Sequence, residues 1–165
     1  MIASLPMYLS HPAGSAALWR AIADSLRQAG VGDVPAELTV PTNADLTAHW
    51  LRLDLLLSQC CGYQMVDALE GRVQVVGAFR YTAPGCDGIN YSSHLVCRAD
   101  DPASSLAAFR HRVAAYNSTD SQSGYRSLRD IVVPLAVGGQ FFAKAVASGA
   151  HVDSLALVRS GQADI

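Results

Sequence analysis

The chain has few charged residues and no long apolar run. Charged residues make up 16% of its 165 residues, and the formal net charge at pH 7 is −2. This balance argues against broad binding to nucleic acids or to anionic membranes. A membrane-spanning helix would need about eighteen consecutive apolar residues, and the sequence contains no such stretch. Because half of the residues are apolar, the composition instead predicts a globular protein with a sizeable core.

Sequence motifs of common catalytic and metal sites are also missing. There is no Gly-x-Ser-x-Gly elbow, no Gly-x-x-x-x-Gly-Lys phosphate loop and no His-Glu-x-x-His pair. The cysteines lack the CxxC spacing of zinc sites and thioredoxin-like motifs, and nothing orients Cys60 or Cys61 toward His94 as a nucleophile pair. We therefore predict no catalytic residue, no metal and no cofactor, and a protein that is not an enzyme.

The N-terminus and the cysteines bear on the cellular compartment. Residues 1–8 contain no basic region and no long apolar run, so the sequence as written carries no export signal. This predicts a cytoplasmic protein, or a periplasmic one whose export signal has been removed. A disulfide between Cys61 and Cys86 is geometrically conceivable, whereas a reducing compartment favours free, partly buried thiols.

Strand and helix patterns alternate along the chain. The sequence predicts strands at residues 2–7, 37–40, 54–58, 73–79, 91–97 and 113–116. It predicts helices at residues 16–29, 44–51 with Asn43 as N-cap, 63–69, 102–109, 124–135 and 152–160. Residues 141–147 are mixed, and residues 161–165 resemble the start of a further strand. Repeated strand–helix units with short loops predict an α/β architecture with mostly parallel sheets.

The clearest break in this pattern is the Pro- and Gly-containing stretch at residues 81–88. It predicts two α/β domains, residues 1–82 and residues 83–165, whose sheets face each other across a cleft. Gln59 directly follows the apolar strand at residues 54–58, and open α/β sheets place ligand contacts at such strand ends.

One polar loop, residues 117–125, follows a predicted strand and precedes a predicted helix. Its sequence, NSTDSQSGY, presents hydroxyls and backbone N–H groups at the positive end of a helix dipole, where an anion can bind. The same residues also fit an ordinary Ser-rich turn that ends in a helix N-cap. The loop alone leaves both interpretations open.

In this order of elements, the chain resembles the substrate-binding proteins of phosphate, phosphite and phosphonate ABC transporters, which have the type II periplasmic-binding-protein fold. The resemblance extends over almost the whole chain. Four segments carry it in the family's order: residues 54–59, residues 91–102, the loop Ser121–Gly124, and residues 148–164 with His151.

The resemblance implies a ligand site made of uncharged donors in the cleft between the two domains. The resemblance implies that the serine loop holds the phosphonyl oxygens and that the later histidine donates to one of them. Tyrosines at strand ends are expected to cover the ligand. Gln122 stands where relatives often have a small hydroxyl residue. The implied ligand-binding residues are Tyr8, Gln59, Tyr91, Ser121, Gln122, Ser123 and His151.

Family members are longer, so the resemblance also implies that a C-terminal part is missing, which leaves the second domain incomplete. In relatives that part continues back into the first domain, supplies an acidic contact for a ligand's amino group, forms the second hinge strand and covers the first domain. The chain is therefore expected to be a fragment or a natural short form, and an open sheet edge favours a homo-oligomer.

The expected function is binding of a small oxyanion of the phosphate, phosphite or phosphonate type. The protein would act as a solute-binding protein with an ABC transporter permease as partner, or as a cytoplasmic sensor. The alternatives are an enzyme on the same fold, and a shortened oligomeric module that binds no ligand.

Overall fold

The computed structural model describes residues 1–8, 11–42 and 45–165, and the backbone alone for Tyr8. The predicted N-cap Asn43 lies outside the described residues. The chain divides into two compact units, Met1–Val75 and Val76–Ile165, each of which is a small mixture of helices and strands. In the part of the chain that is described, no helix combines the length and apolar character needed to cross a bilayer.

The first unit is built on a parallel pair of strands. Strand β1 (Ile2–Ser4) pairs with strand β2 (Leu55–Ser58), and Ser4 lies opposite Ser58 in the register. A 3-10 turn at Pro6–Tyr8 follows β1. The helices of this unit are α1 (Pro12–Gln28), α2 (Leu46–Trp50) and α3 (Gly62–Met65).

Helix α1 supplies the centre of the first core. Pro12 suits its first turn, where the missing N–H would have no helical partner. Trp19 and Ala23, each 1% exposed, pack with the fully buried Ala3 of β1. The indole N–H of Trp19 donates to the Pro35 carbonyl oxygen at 3.2 Å. Trp19 is therefore a packing residue of this core.

The second unit contains another parallel pair, strands β3 (Val113–Tyr116) and β4 (Lys144–Ala147), with Val113 opposite Lys144. A continuous helical run connects them, and a second helix follows β4. The run consists of a π-turn at Gln122–Arg126, helix α4 (Ser127–Val132) and a 3-10 turn at Val133–Leu135, and the second helix is α5 (His151–Ser160).

The last residues lie along the other edge of β3. The Asp164 N–H donates to the Val113 carbonyl oxygen at 2.8 Å, and the Ala115 N–H donates to the Ile165 carbonyl oxygen at 2.8 Å. Arg98 holds this segment against α5, since its Nη1 donates to the carbonyl oxygens of Val158 at 3.1 Å and Ala163 at 2.9 Å. The strand-like character expected of this segment therefore agrees with its hydrogen bonding.

Three predicted strands are wrong. Residues 37–40, 73–79 and 91–97 have no regular secondary structure, although their β-branched and aromatic residues favour strands. A strand needs a neighbouring strand for its hydrogen bonds and its packing. Residues 37–40 make one hydrogen bond to β1, from the Thr39 N–H to the Ala3 carbonyl oxygen. In residues 73–79, Val76 is 80% exposed and so lacks such packing.

Several predicted helices differ in length or type. The helix expected to end at Phe109 is a 3-10 turn, Leu106–Phe109, and the helix expected at residues 63–69 is limited to α3. Short segments of this kind gain few helical hydrogen bonds for the residues they order, so packing decides their form. The helix predicted at residues 152–160 is confirmed as α5, which ends at the left-handed Gly161.

Candidate functional site

A cavity of about 740 Å³ lies in the second unit. It adjoins Tyr116 and Asn117 at the carboxyl end of β3, the starts of the π-turn and of α5, and residues 89–96. Parallel sheets bind ligands at the carboxyl ends of their strands, because the loops that follow neighbouring strands meet there. The position of the cavity therefore makes it the candidate ligand site of this unit.

Three uncharged polar side chains meet at one end of the cavity. Ser123 Oγ lies 3.4 Å from Nε2 of His151, and Asn117 borders both residues. Asn117 Oδ1 is buried and has no hydrogen-bond partner among the described residues. A hydroxyl, an imidazole and an amide together can donate to and accept from one small polar ligand.

Backbone hydrogen bonds bring the start of α5 to this end of the cavity. The Ser148 N–H donates to the Tyr116 carbonyl oxygen at 2.8 Å, and the Gly149 N–H donates to the Asn117 carbonyl oxygen at 2.9 Å. These bonds continue the β3–β4 pairing past the strand ends. His151 is consequently held next to the loop that follows β3.

Ser121 and Ser123 have different roles in the serine loop. Ser121 is the N-cap of the π-turn: its hydroxyl oxygen accepts from the Gly124 N–H at 3.1 Å, and the residue is 7% exposed. The Ser123 side chain is directed to the cavity. The capping interpretation of the loop therefore applies to Ser121, whereas the Ser123 hydroxyl lies at the cavity in contact with His151 Nε2.

Gly124 is required by the close approach of the polar groups. A Cβ atom at this position would collide with Asn117 Oδ1 and would lie 3.0 Å from His151 Cε1. Asn117 and Gly124 were not among the site residues predicted from the sequence. The sequence offered one signal for each: Asn117 directly follows β3, and Gly124 directly follows Ser123.

The structure brings four of the seven predicted site residues together, since Tyr91, Gln122, Ser123 and His151 all line the cavity. Tyr8 and Gln59 belong to the first unit. Tyr8 ends the 3-10 turn after β1, and its side chain lies outside the described residues. The roles of all seven residues as ligand contacts stay predictions.

Gln59 lies at the carboxyl end of β2 with its main chain fully engaged. Its N–H donates to the Ser4 carbonyl oxygen at 3.2 Å, and its carbonyl oxygen accepts from the Trp50 indole N–H at 3.1 Å. Within the described part of the chain, its side-chain Oε1 is buried and has no hydrogen-bond partner. The side-chain oxygen of Gln59 can therefore accept a hydrogen bond from another group.

Beside Gln59, the first unit contains a buried polar cluster that the sequence did not indicate. Ser4 is fully buried, and its Oγ lies 2.7 Å from Nε2 of His49 and 2.7 Å from Oγ of Ser58. Burial lowers the pKa of His49, the positive charge of Arg52 lowers it further, and the carboxylate of Asp54 opposes them. The imidazole is therefore held neutral near pH 7.

We expect the stability of the first unit to fall as the pH is lowered below about 6.5, the pKa of an unfolded histidine. His49 has a lower pKa when folded, so the unfolded chain binds more protons between the two values. One proton gives a slope of at most about 1.4 kcal/mol per pH unit. Urea unfolding between pH 7.5 and 5.5, followed by tryptophan fluorescence, measures it, since Trp19 and Trp50 both lie in this unit.

The matched variant is His49→Gln, which keeps a polar partner for Ser4 and cannot titrate. It should show a smaller loss of stability over the same pH range. An unchanged slope in this variant would show that another group causes the pH dependence.

Among the described residues, the cysteines and the possible metal ligands form no separate site. All four cysteines are free, and burial raises the pKa of the Cys60 thiol, which disfavours the reactive thiolate. No group of three or more side chains that could hold a metal ion occurs in residues 1–8, 11–42 and 45–165.

Comparison with known proteins agrees with the resemblance seen in the sequence. The family model described as "ABC transporter, phosphonate, periplasmic substrate-binding protein" matches residues 9–165. Comparison with curated proteins gave no match. Since the family match extends over nearly the whole chain, the predicted family is confirmed. The chain belongs to the family of periplasmic substrate-binding proteins of phosphonate ABC transporters.

Proposed function

We propose that this protein binds a small oxyanion of the phosphate, phosphite or phosphonate type in the cavity of its second unit. The observation that carries the proposal is the approach of Ser123 Oγ to His151 Nε2, at 3.4 Å, beside the amide of Asn117. Both Ser123 and His151 can donate to the oxygens of one anion. Asn117 offers an acceptor for a protonated oxygen, or a donor once its amide is flipped.

The described lining supplies hydrogen-bond donors and no lysine or arginine, so neither of these cations would neutralise the anion. No Asp, Glu, Lys or Arg occurs among the described residues that line the cavity. Hydrogen bonds to a charged group contribute about 1.5–3 kcal/mol each, which is enough for binding when several converge. Selectivity then depends on the directions of the donors and on the shape of the wall.

The family supports a wider role in transport. Under this proposal the protein delivers its ligand to an ABC transporter permease and works in the periplasm, and a cytoplasmic sensor is the alternative role. The two domains, residues 1–82 and 83–165, would close on the ligand, with Tyr8, Gln59, Tyr91, Ser121 and Gln122 as further contacts. The family is one of binding proteins and not of enzymes, so no catalytic step is proposed. Homo-oligomer formation remains part of the proposal.

The direct test is thermal unfolding of the full chain with phosphate, phosphite and methylphosphonate. A ligand that binds only the folded state stabilises it by about 2.7 kcal/mol at 100 times its dissociation constant. We expect at least one anion of the panel to raise the melting temperature. An unchanged melting temperature with every member would refute the proposed function.

Ser123→Ala tests the site itself. It should weaken binding of the best anion about 10- to 150-fold, because one hydrogen bond to a charged group is lost. Since Ser121 is the cap, the unliganded stability should change by less than about 0.5 kcal/mol. Thr119→Ala, in the same loop but outside the cavity lining, should bind like the wild type. Wild-type affinity of Ser123→Ala by calorimetry would exclude this residue from the site.

A further inference from the structure

The cavity is polar at one end, and apolar side chains continue from there along one wall, beside Ser127 and Ser154. Ser123 borders the polar end, and the same helical run then places Leu128 and Ile131 on the cavity wall. At about 1.5 Å per residue, these side chains lie roughly 8 and 12 Å farther along the run. Ile131 is 45% exposed, so a bound ligand can still cover part of its side chain.

Helix α5 repeats this order on its own side of the cavity. It begins with His151 at the polar end, and Leu155 and Val158 follow on the cavity wall. They lie roughly 6 and 10 Å along the helix from His151. Leu155 is 50% exposed and Val158 is buried. Two helices thus present a polar start and an apolar continuation to the same space.

The volume of the cavity and the charges in its lining limit the size and the charge of the ligand's substituent. A volume of about 740 Å³ falls within the range of pockets for drug-sized ligands and is far larger than phosphite or methylphosphonate requires. With no Asp or Glu in the described lining, a cationic substituent would lose hydration without gaining a side-chain counter-charge. An alkyl or aryl substituent would instead cover the exposed apolar wall.

We propose, resting on the function proposed above, that the ligand is a phosphonate with an uncharged apolar substituent of three or more carbons. The phosphonyl group binds at Ser123 and His151, and the substituent lies along Leu128 and Leu155. An aminoalkyl phosphonate of the same length is a poorer ligand for this cavity.

The test compares n-propylphosphonate with 2-aminoethylphosphonate, which have the same number of non-hydrogen atoms, by calorimetry on the full chain. The propyl compound should bind at least about tenfold more tightly than the aminoethyl compound. It should also bind about 15-fold more tightly than methylphosphonate, since each buried methylene contributes about fourfold. Equal or tighter binding of 2-aminoethylphosphonate would overturn this inference and leave the proposed function standing. Failure of every anion, phosphate included, would refute the proposed function instead.

A pair of variants on α5 tests where the substituent lies. Leu155 lines the cavity, and Val152, which is 54% exposed on the same helix, does not. Leu155→Glu should lower the propyl-to-aminoethyl affinity ratio by at least about tenfold, because the new carboxylate pairs with the ammonium group and removes apolar contact. Val152→Glu should leave the ratio unchanged. An unchanged ratio in Leu155→Glu, or an equal fall in both variants, would contradict the proposed position of the substituent.

Discussion

Gly124→Ala is expected to weaken anion binding about 150-fold. The added Cβ would occupy the space of Asn117 Oδ1 and would lie 3.0 Å from His151 Cε1, so the Asn117 amide must move and the His151 ring must shift by a few tenths of an ångström. If each of them loses one polar contact with the anion worth about 1.5 kcal/mol, the total loss is about 3 kcal/mol. Calorimetry with the tightest-binding anion measures this change, which should exceed that of Ser123→Ala.

Gly14→Ala is the matched control. Gly14 lies in α1 with its nearest contact at 3.9 Å, so a methyl group fits there. It should bind anions normally and gain about 0.5–1 kcal/mol of stability, because alanine favours a helix. If Gly124→Ala keeps an affinity within threefold of the wild type, Asn117 and His151 are not held in place by this close approach.

Trp19→Ala is expected to lower the free energy of unfolding of the first unit by about 3–5 kcal/mol. Trp19 is 1% exposed in a cluster with Ala3 and Ala23, and loss of the indole would leave a cavity that the surrounding side chains fill only in part. The loss is a large share of the 5–15 kcal/mol typical of small domains. Urea unfolding followed by the fluorescence of Trp50, which lies in the same unit, gives the measurement.

Two further variants separate the causes of this loss. Trp19→Phe keeps most of the ring and loses the hydrogen bond to Pro35, so it should cost far less than Trp19→Ala. Arg20→Ala, at the exposed neighbouring position, should change stability by less than about 0.5 kcal/mol. A loss below about 1.5 kcal/mol in Trp19→Ala would show that Trp19 is not the centre of this core.

Elements defined by local sequence patterns could be predicted, whereas strands that depend on a distant neighbour could not. Helix α5 and strand β2 were predicted nearly to the residue, because a 3.6-residue period and a continuous apolar run are local patterns. Residues 73–79 and 91–97 have equally good strand composition and form no strand. Strand formation needs a hydrogen-bonding neighbour, and the identity of that neighbour is not a local property.

The sequence alone determined the family and the parallel strand pairing, because motif order and apolar patterns can be read along the chain. Only the tertiary structure distinguished the capping hydroxyl of Ser121 from the cavity hydroxyl of Ser123, since one helical start presents them in different directions.

The tertiary structure also decided the roles of residues far apart in the sequence. Gly124 approaches Asn117 and His151, and Ser4 joins His49 to Ser58. These contacts depend on how β3 lies beside β4 and β1 beside β2. These contacts arise from the packing of distant segments, so no periodicity or local motif in the sequence predicts them.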